Sequence, residues 1–136
     1  IRENILFGRP FDKRWYDTVI DRCCLRPDLA ELGAGDQTEV GEQGITLSGG
    51  QRQRIGISRA LYKEADVIVF DEATSALDND TERAVMEAIE NLDDELTIII
   101  VAHRLTTLKN CTQVVELEDG KIKRMGSYTD IVDQSA

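Results

Sequence analysis

Two carboxylates, Asp71 and Glu72, close the short apolar run Val67 to Phe70, and the chain's single histidine, His103, follows a second run, Thr97 to Val101. A carboxylate pair at the lip of a buried strand offers one oxygen ligand for a hard cation or its waters and one base for an attacking water. That is the donor set a magnesium nucleotide site needs. Open α/β sheets gather ligands at the carboxyl ends of their strands, so these three groups converge if the two runs are neighbouring strands. Read one at a time, Asp71 and Glu72 serve equally well as turn caps, and a histidine beside an apolar strand serves as a satisfied core residue. Upstream, Ser48, Gly49 and Gly50 offer a hydroxyl and unobstructed backbone N–H groups where a helix is about to start. The dipole of such a terminus favours an anion, although the ordinary fate of Ser-Gly-Gly is simply to cap a helix.

The elements that must position these groups are legible in outline. Trp15, Val19 and Ile20 fall at near-helical spacing, and a Gly-rich polar loop follows from Gly33 to Gly44, so the first forty-odd residues read as helices and loops without a strand. Ser48 is a suitable N-cap for a helix through QRQRIGISRALYK. Val67 to Phe70 and Thr97 to Val101 are β-branched runs of the kind that suit strands buried on both faces. Between them, Asn79 with Glu82 resembles a capping box, and Val85, Ile89 and Leu92 recur at helical spacing up to the acidic turn Asp93 to Glu95. Strand, helix and strand in this order build a parallel sheet by right-handed crossover, so the fold class is α/β. Val114 to Leu117 and Lys121 to Met125, flanking Glu118, Asp119 and Gly120, predict a hairpin, and a short helix over Thr129 to Val132 follows it.

Composition narrows the function classes. At 136 residues the chain is one domain's worth of sequence and long enough for a core. Asp and Glu outnumber Lys and Arg by 26 to 16, for a formal net charge of −10, which disfavours general nucleic-acid binding. The longest apolar run, Thr97 to Ala102, is far short of a membrane span, and no charged-then-apolar leader opens the chain, so a soluble piece is expected. Three cysteines, with no C-x-x-C pair and no zinc spacing, read as reduced thiols that fill space. The first residue is Ile, and a longer parent chain is the natural expectation.

Beyond these residue-level readings, the stretch LSGGQRQRIGISRAL from Leu47 resembles the signature motif of the ATP-binding cassette (ABC) ATPases. Val67 to Glu72 resembles that family's Walker B strand with its catalytic glutamate, Ser75 to Asp78 resembles its D-loop, and His103 falls where the family places its switch histidine. Ile1 to Gly8 looks like the segment after the Q-loop of exporter-type cassettes, and Thr38 to Gly44 resembles their X-loop. Four motifs in the family's order between Leu47 and His103 are far more specific than any single Gly-rich pattern. One part is missing: the only Gly-Lys pair, Gly120-Lys121, is followed by Ile122 and lacks the upstream Gly, so the sequence contains no Walker A loop. The resemblance therefore implies a P-loop NTPase-like fragment. Residues 1–62 would form a helical subdomain with X-loop and signature, and residues 63–136 the carboxyl-terminal part of the ATPase core.

By that resemblance Asp71 would serve Mg2+, through water, and Glu72 would polarise the water that attacks the γ-phosphate of ATP. His103 would hydrogen-bond that phosphate. Leu47, Ser48, Gly49, Gly50 and Gln51 would meet the γ-phosphate of a nucleotide held by a second nucleotide-binding domain in a head-to-tail dimer, and Asp78 would couple the two sites. Glu39 and Glu42 lie in the loop that would touch the transmembrane domains, which places the intact protein at the cytoplasmic face of a membrane. Arg52, Arg54 and Arg59 read as solvating or bracing the signature helix rather than binding nucleic acid. Two other readings stand beside this one. A DNA-repair or chromosome-maintenance ATPase shares the chemistry but fits poorly with Gln51, the X-loop and the acidic balance. A non-hydrolytic regulatory module would be expected to have lost Glu72 or His103.

Overall fold

The computed structural model describes residues 1–41, 45–71, 79–90, 92, 96–102 and 105–133. By contact the chain falls into two units, the first holding the described residues up to Phe70 and those between 79 and 99, the second those from 100 onward with Asp71.

The first unit is built around one helix. α1 (Arg2–Leu6), α2 (Lys13–Arg22) and α3 (Arg26–Glu31) precede a 3-10 turn at Gly35–Gln37, and α4 (Gly49–Tyr62) follows. α4 touches α1, α2 and α5 (Asn79–Glu90), so its buried residues lie on several sides: Ile55, Ile57, Ser58, Leu61 and Tyr62 are all nearly inaccessible. α2 forms where the Trp15, Val19, Ile20 spacing predicts it. Its N-cap is Asp12, whose carboxylate accepts from the Trp15 N–H at 3.0 Å. Val19, Ile20 and Tyr16 bury its inner face, and Val85, Ala88 and Ile89 do the same for α5.

α4 and α2 are stapled by Tyr62. Its hydroxyl donates to the Pro10 carbonyl at 2.7 Å and accepts from the Asp12 N–H at 2.9 Å, while its own carbonyl accepts from Trp15 Nε1 at 3.3 Å. α1 is held to α4 by Arg59, which donates to the Asn4 carbonyl (2.7 Å) and Asn4 Oδ1 (3.0 Å) and lies over the Phe7 ring.

β1 (Val67–Asp71) and β2 (Thr97–Val101) pair in a small parallel sheet, with α5 as the crossover between them, as the strand-helix-strand order predicts. The expectation that both runs are covered on both faces is not met. β1 alternates strictly, with Ile68 and Phe70 buried and Val67 and Val69 exposed at 50% and 59%. β2 has no buried residue, and Ile99 and Val101 are exposed. The cause is the period of two: successive side chains leave opposite faces, and the described residues cover β1 on only one of them.

The second unit contains the hairpin of β3 (Val114–Glu118) and β4 (Lys121–Gly126), packed against α6 (Tyr128–Asp133). Glu118 pairs with Lys121, so the turn is the two-residue Asp119-Gly120 rather than a three-residue loop. Both turn residues have positive φ, 50° and 74°, the pairing that matches the twist of the strands. A register shift between Glu116 and Leu117 bends the ladder. Ser127 caps α6: its Oγ accepts from the Asp130 N–H at 3.2 Å, and Asp130 Oδ2 accepts from the Ser127 N–H at 2.9 Å. The three cysteines are free thiols.

Candidate functional site

The five residues Leu47 to Gln51 form one turn of chain whose conformation is fixed by side chains. Ser48 sits at φ −63°, ψ 163°, extended, immediately before α4. Its Oγ accepts from the Gln51 N–H at 3.1 Å, and Gln51 Oε1 accepts from the Ser48 N–H at 2.9 Å, which completes a reciprocal capping box. The first N–H groups of a helix have no partner within it, and here only that of Gln51 is taken by the cap. Gly49, half-buried, and Gly50, buried, are the first two residues of α4 and put their N–H groups at the positive end of its dipole. The Leu47 carbonyl is held by Arg52, whose Nη1 donates at 2.6 Å, so the strand of chain entering the turn is tied to the helix it begins.

A second layer supports this turn. Asp28, in the first turn of α3, accepts from Gln51 Nε2 through Oδ1 at 3.2 Å and from Arg54 through Oδ2, with Nη2 at 2.7 Å and Nε at 3.2 Å. Arg54 is buried on α4, and Ser58 one turn later donates to the Arg54 carbonyl at 2.8 Å. The bracing expected of Arg52, Arg54 and Arg59 is thus what the structure shows, each holding a different neighbour. Beneath Ser58, burial pushes the Cys23 thiol up to about 11, so it is a neutral space-filling group, as expected for a structural cysteine.

Asp71 ends β1 with its carboxylate side exposed, at the carboxyl end of the strand. Glu72, Asp78 and His103 lie outside the described residues, and so do Glu42, Gln43 and Gly44 of the candidate X-loop. Among the described residues no group of three or more His, Cys, Asp or Glu side chains could hold a metal ion. The described part of that loop is anchored at its start: the Ile1 amine donates to the Thr38 carbonyl at 2.8 Å, and the Ile45 N–H donates to the Glu39 carbonyl at 3.1 Å. Val40 and Ile45 form an isolated bridge across Gly41, whose φ of 114° requires a residue without a Cβ. Arg2 braces the preceding turn through Asp36, with Nε at 2.8 Å and Nη2 at 3.0 Å. Burial raises the Asp36 carboxyl, but the Arg2 guanidinium outweighs it and holds the group below its usual value.

Sequence reasoning found the capped turn and missed its support. Asp28 carries one visible signal, Pro27 followed by an acid at the start of a helix, which marks α3 but says nothing of a partner on α4.

A helical portion carrying a side-chain-locked Ser-Gly-Gly terminus, together with a small parallel strand pair, is the class of P-loop NTPase-like α/β proteins. The family model described as ABC transporter matches residues 2–75, just over half of the chain, and the chain belongs to that family. It is 44% identical over 132 residues to the ABC-type transporter cicA of Emericella nidulans, covering 96% of this chain and 10% of that protein. It is 44% identical to ABC transporter C family member 6 of Arabidopsis thaliana, covering 98% of this chain and 9% of that protein. It is 45% identical to the human ATP-binding cassette sub-family C member 8, covering 96% of this chain and 8% of that protein. The chain therefore spans about a tenth or less of the length of these relatives.

Proposed function

We propose that the chain is the signature-bearing part of a nucleotide-binding domain that hydrolyses ATP to drive an exporter. The observation that carries this reading is the locked turn Leu47 to Gln51, which sets the N–H groups of Gly49 and Gly50 at the positive end of a 14-residue helix. Those donors suit the terminal phosphate of a nucleotide held by a second such domain, arranged head to tail, so that each site is completed in trans. The exporter reading is supported by the names of relatives, among them the Multidrug resistance protein mrp-7 of Caenorhabditis elegans, 42% identical over 135 residues.

Within that reading, Asp71 binds Mg2+ through water. An exposed carboxylate at a strand's carboxyl end fits a hard cation that keeps most of its hydration. The ion supplies charge neutralisation for the phosphates when bound. Glu72 takes a proton from the attacking water, His103 donates to the γ-phosphate oxygen, and Asp78 couples the paired sites. Thr38 to Gly44 contact the transmembrane domains, and the domain lies at the cytoplasmic face of the membrane. Among the described residues no helix is long and apolar enough to cross one.

The test compares the isolated 136-residue chain with the full-length protein. The sequence lacks the phosphate loop and its lysine, so the isolated chain should show no steady ATP turnover. The full-length protein should turn over, and Glu72→Gln should reduce its rate by about 10²-fold or more, the usual scale for removing a general base. Glu72-dependent turnover by the isolated chain, or a normal rate in full-length Glu72→Gln, contradicts the assignment.

A further inference from the structure

We propose that Asp28 is a positioning residue for the phosphate-binding end of α4, acting through Gln51 and Arg54; this rests on the reading of Leu47 to Gln51 given above. The carboxylate sits at a branch point. One oxygen holds Gln51 Nε2 at 3.2 Å, and Gln51 Oε1 in turn holds the Ser48 N–H at 2.9 Å. The other oxygen holds the Arg54 guanidinium at 2.7 and 3.2 Å. Both charged partners are largely enclosed, with side-chain exposures of 18% for Asp28 and 10% for Arg54.

Two consequences follow from that geometry. Gln51 is not free to rotate away from the cap, because both ends of its amide are engaged, and the direction of the Gly49 and Gly50 N–H groups is set by the cap. Asp28 thereby fixes the donors from a second helix, α3, rather than from α4 alone. The second consequence is electrostatic. A bare carboxylate one hydrogen bond from the cap would oppose an arriving phosphate, and Arg54 neutralises it. The pair is therefore both a clamp and a charge balance, and breaking it from the two sides should not give the same result.

The experiment uses the full-length protein with magnesium ATP and, as a stand-in for the γ-phosphate, orthovanadate. Asp28→Ala should lower turnover at saturating ATP and vanadate trapping by about tenfold, the scale of one charge-assisted hydrogen bond. Nucleotide affinity of the resting protein, read with a fluorescent ATP analogue, should stay within about twofold, because the contacts to adenine and to most of the phosphates lie elsewhere. Asp28→Glu should recover most of the loss. Arg54→Met should be worse than Asp28→Ala, since it leaves the carboxylate uncompensated, and Asp28→Ala/Arg54→Met should return to the level of Asp28→Ala.

Tyr62→Phe loosens α4 at its other end and serves as the stability control, with turnover retained. If Arg54→Met does not assemble, loss in Asp28→Ala with recovery in Asp28→Glu carries the test. Turnover of Asp28→Ala within twofold of normal, while Gly50→Asp is inactive, overturns the role of Asp28 and leaves the reading of the signature turn intact. Normal turnover in Gly50→Asp overturns that reading itself, and the role of Asp28 with it. A loss in Asp28→Ala matched by a parallel loss of resting nucleotide affinity reduces Asp28 to a packing residue and overturns the proposal.

Discussion

Removing one hydroxyl, in Tyr62→Phe, should loosen the whole junction between α2 and α4. The hydroxyl makes two hydrogen bonds, to the Pro10 carbonyl at 2.7 Å and from the Asp12 N–H at 2.9 Å, and Asp12 is the N-cap of α2. A neutral hydrogen bond contributes about 0.5–1.5 kcal/mol net, and the lower half of that range applies where water can replace the lost partner. Pro10 and Asp12 are exposed residues, so both of their groups can be rehydrated. The expected cost is about 1–2 kcal/mol, which for a urea slope of about 2 kcal/mol per molar shifts the midpoint down by roughly 0.5–1 M with the slope unchanged. Tyr16→Phe is the matched control. Among the described residues the Tyr16 hydroxyl is buried without a hydrogen bond of good geometry, although it faces the Arg2–Asp36 pair, so its removal should cost less than removal of the Tyr62 hydroxyl. Amide exchange adds a local reading, since the Asp12 N–H should lose protection in Tyr62→Phe and keep it in Tyr16→Phe. An unchanged midpoint in Tyr62→Phe, or a larger loss in Tyr16→Phe, refutes the reasoning.

Gly120→Ala should destabilise the β3–β4 hairpin by about 1–2 kcal/mol, because a Cβ at φ 74° meets the penalty of the left-handed region; faster amide exchange across β3 and β4 is the readout, and unchanged exchange counts against the turn geometry. Stability should also fall in alkali. Burial raises the Cys23 thiol from its ordinary 9.0 to about 11, and burial likewise raises the Tyr16 phenol. Both are neutral in either state below pH 9, so their contribution is fully present there. As pH rises from 9 towards 11 the unfolded thiol ionises first and that stability is lost. Urea midpoints measured between pH 8 and pH 11 should decline, and less steeply in Cys23→Ala; identical slopes contradict the account.

What the sequence made legible was local. Ser48 before a helix-forming stretch reads as an N-cap, and the structure adds its reciprocal partner, Gln51. Glu118-Asp119-Gly120 between Val114 to Leu117 and Lys121 to Met125 identifies the hairpin, although whether Glu118 belongs to strand or turn depends on a register that only the pairing reveals. α1 was not legible as an element, because five residues ending at Leu6, with Phe7 at φ 46° as the C-cap, show no period and no side-chain cap. The supports of the candidate site were hidden for a different reason. Asp28 and Arg54 are separated by 26 positions, and a long-range ion pair leaves no mark on local pattern. The exposed face of β1 was misread because a continuous apolar run looks the same whether one face or two are covered.

The central claim is that the Leu47 to Gln51 turn completes a nucleotide site belonging to another domain. Gly50 is buried at the second position of α4, and on this account Gly50→Asp places a Cβ and a negative charge where a phosphate must approach. In the full-length protein each resting domain should still bind nucleotide, while ATP-dependent closure and turnover are lost together. The most direct measurement mixes a Gly50→Asp domain with one mutated at its phosphate-loop lysine and follows ATP turnover. The account predicts recovery of one working site per mixed pair, from the intact signature of one domain and the intact phosphate loop of the other. Gly50→Asp pairs that close on ATP and hydrolyse it at the normal rate would contradict it and reduce the turn to a helix cap.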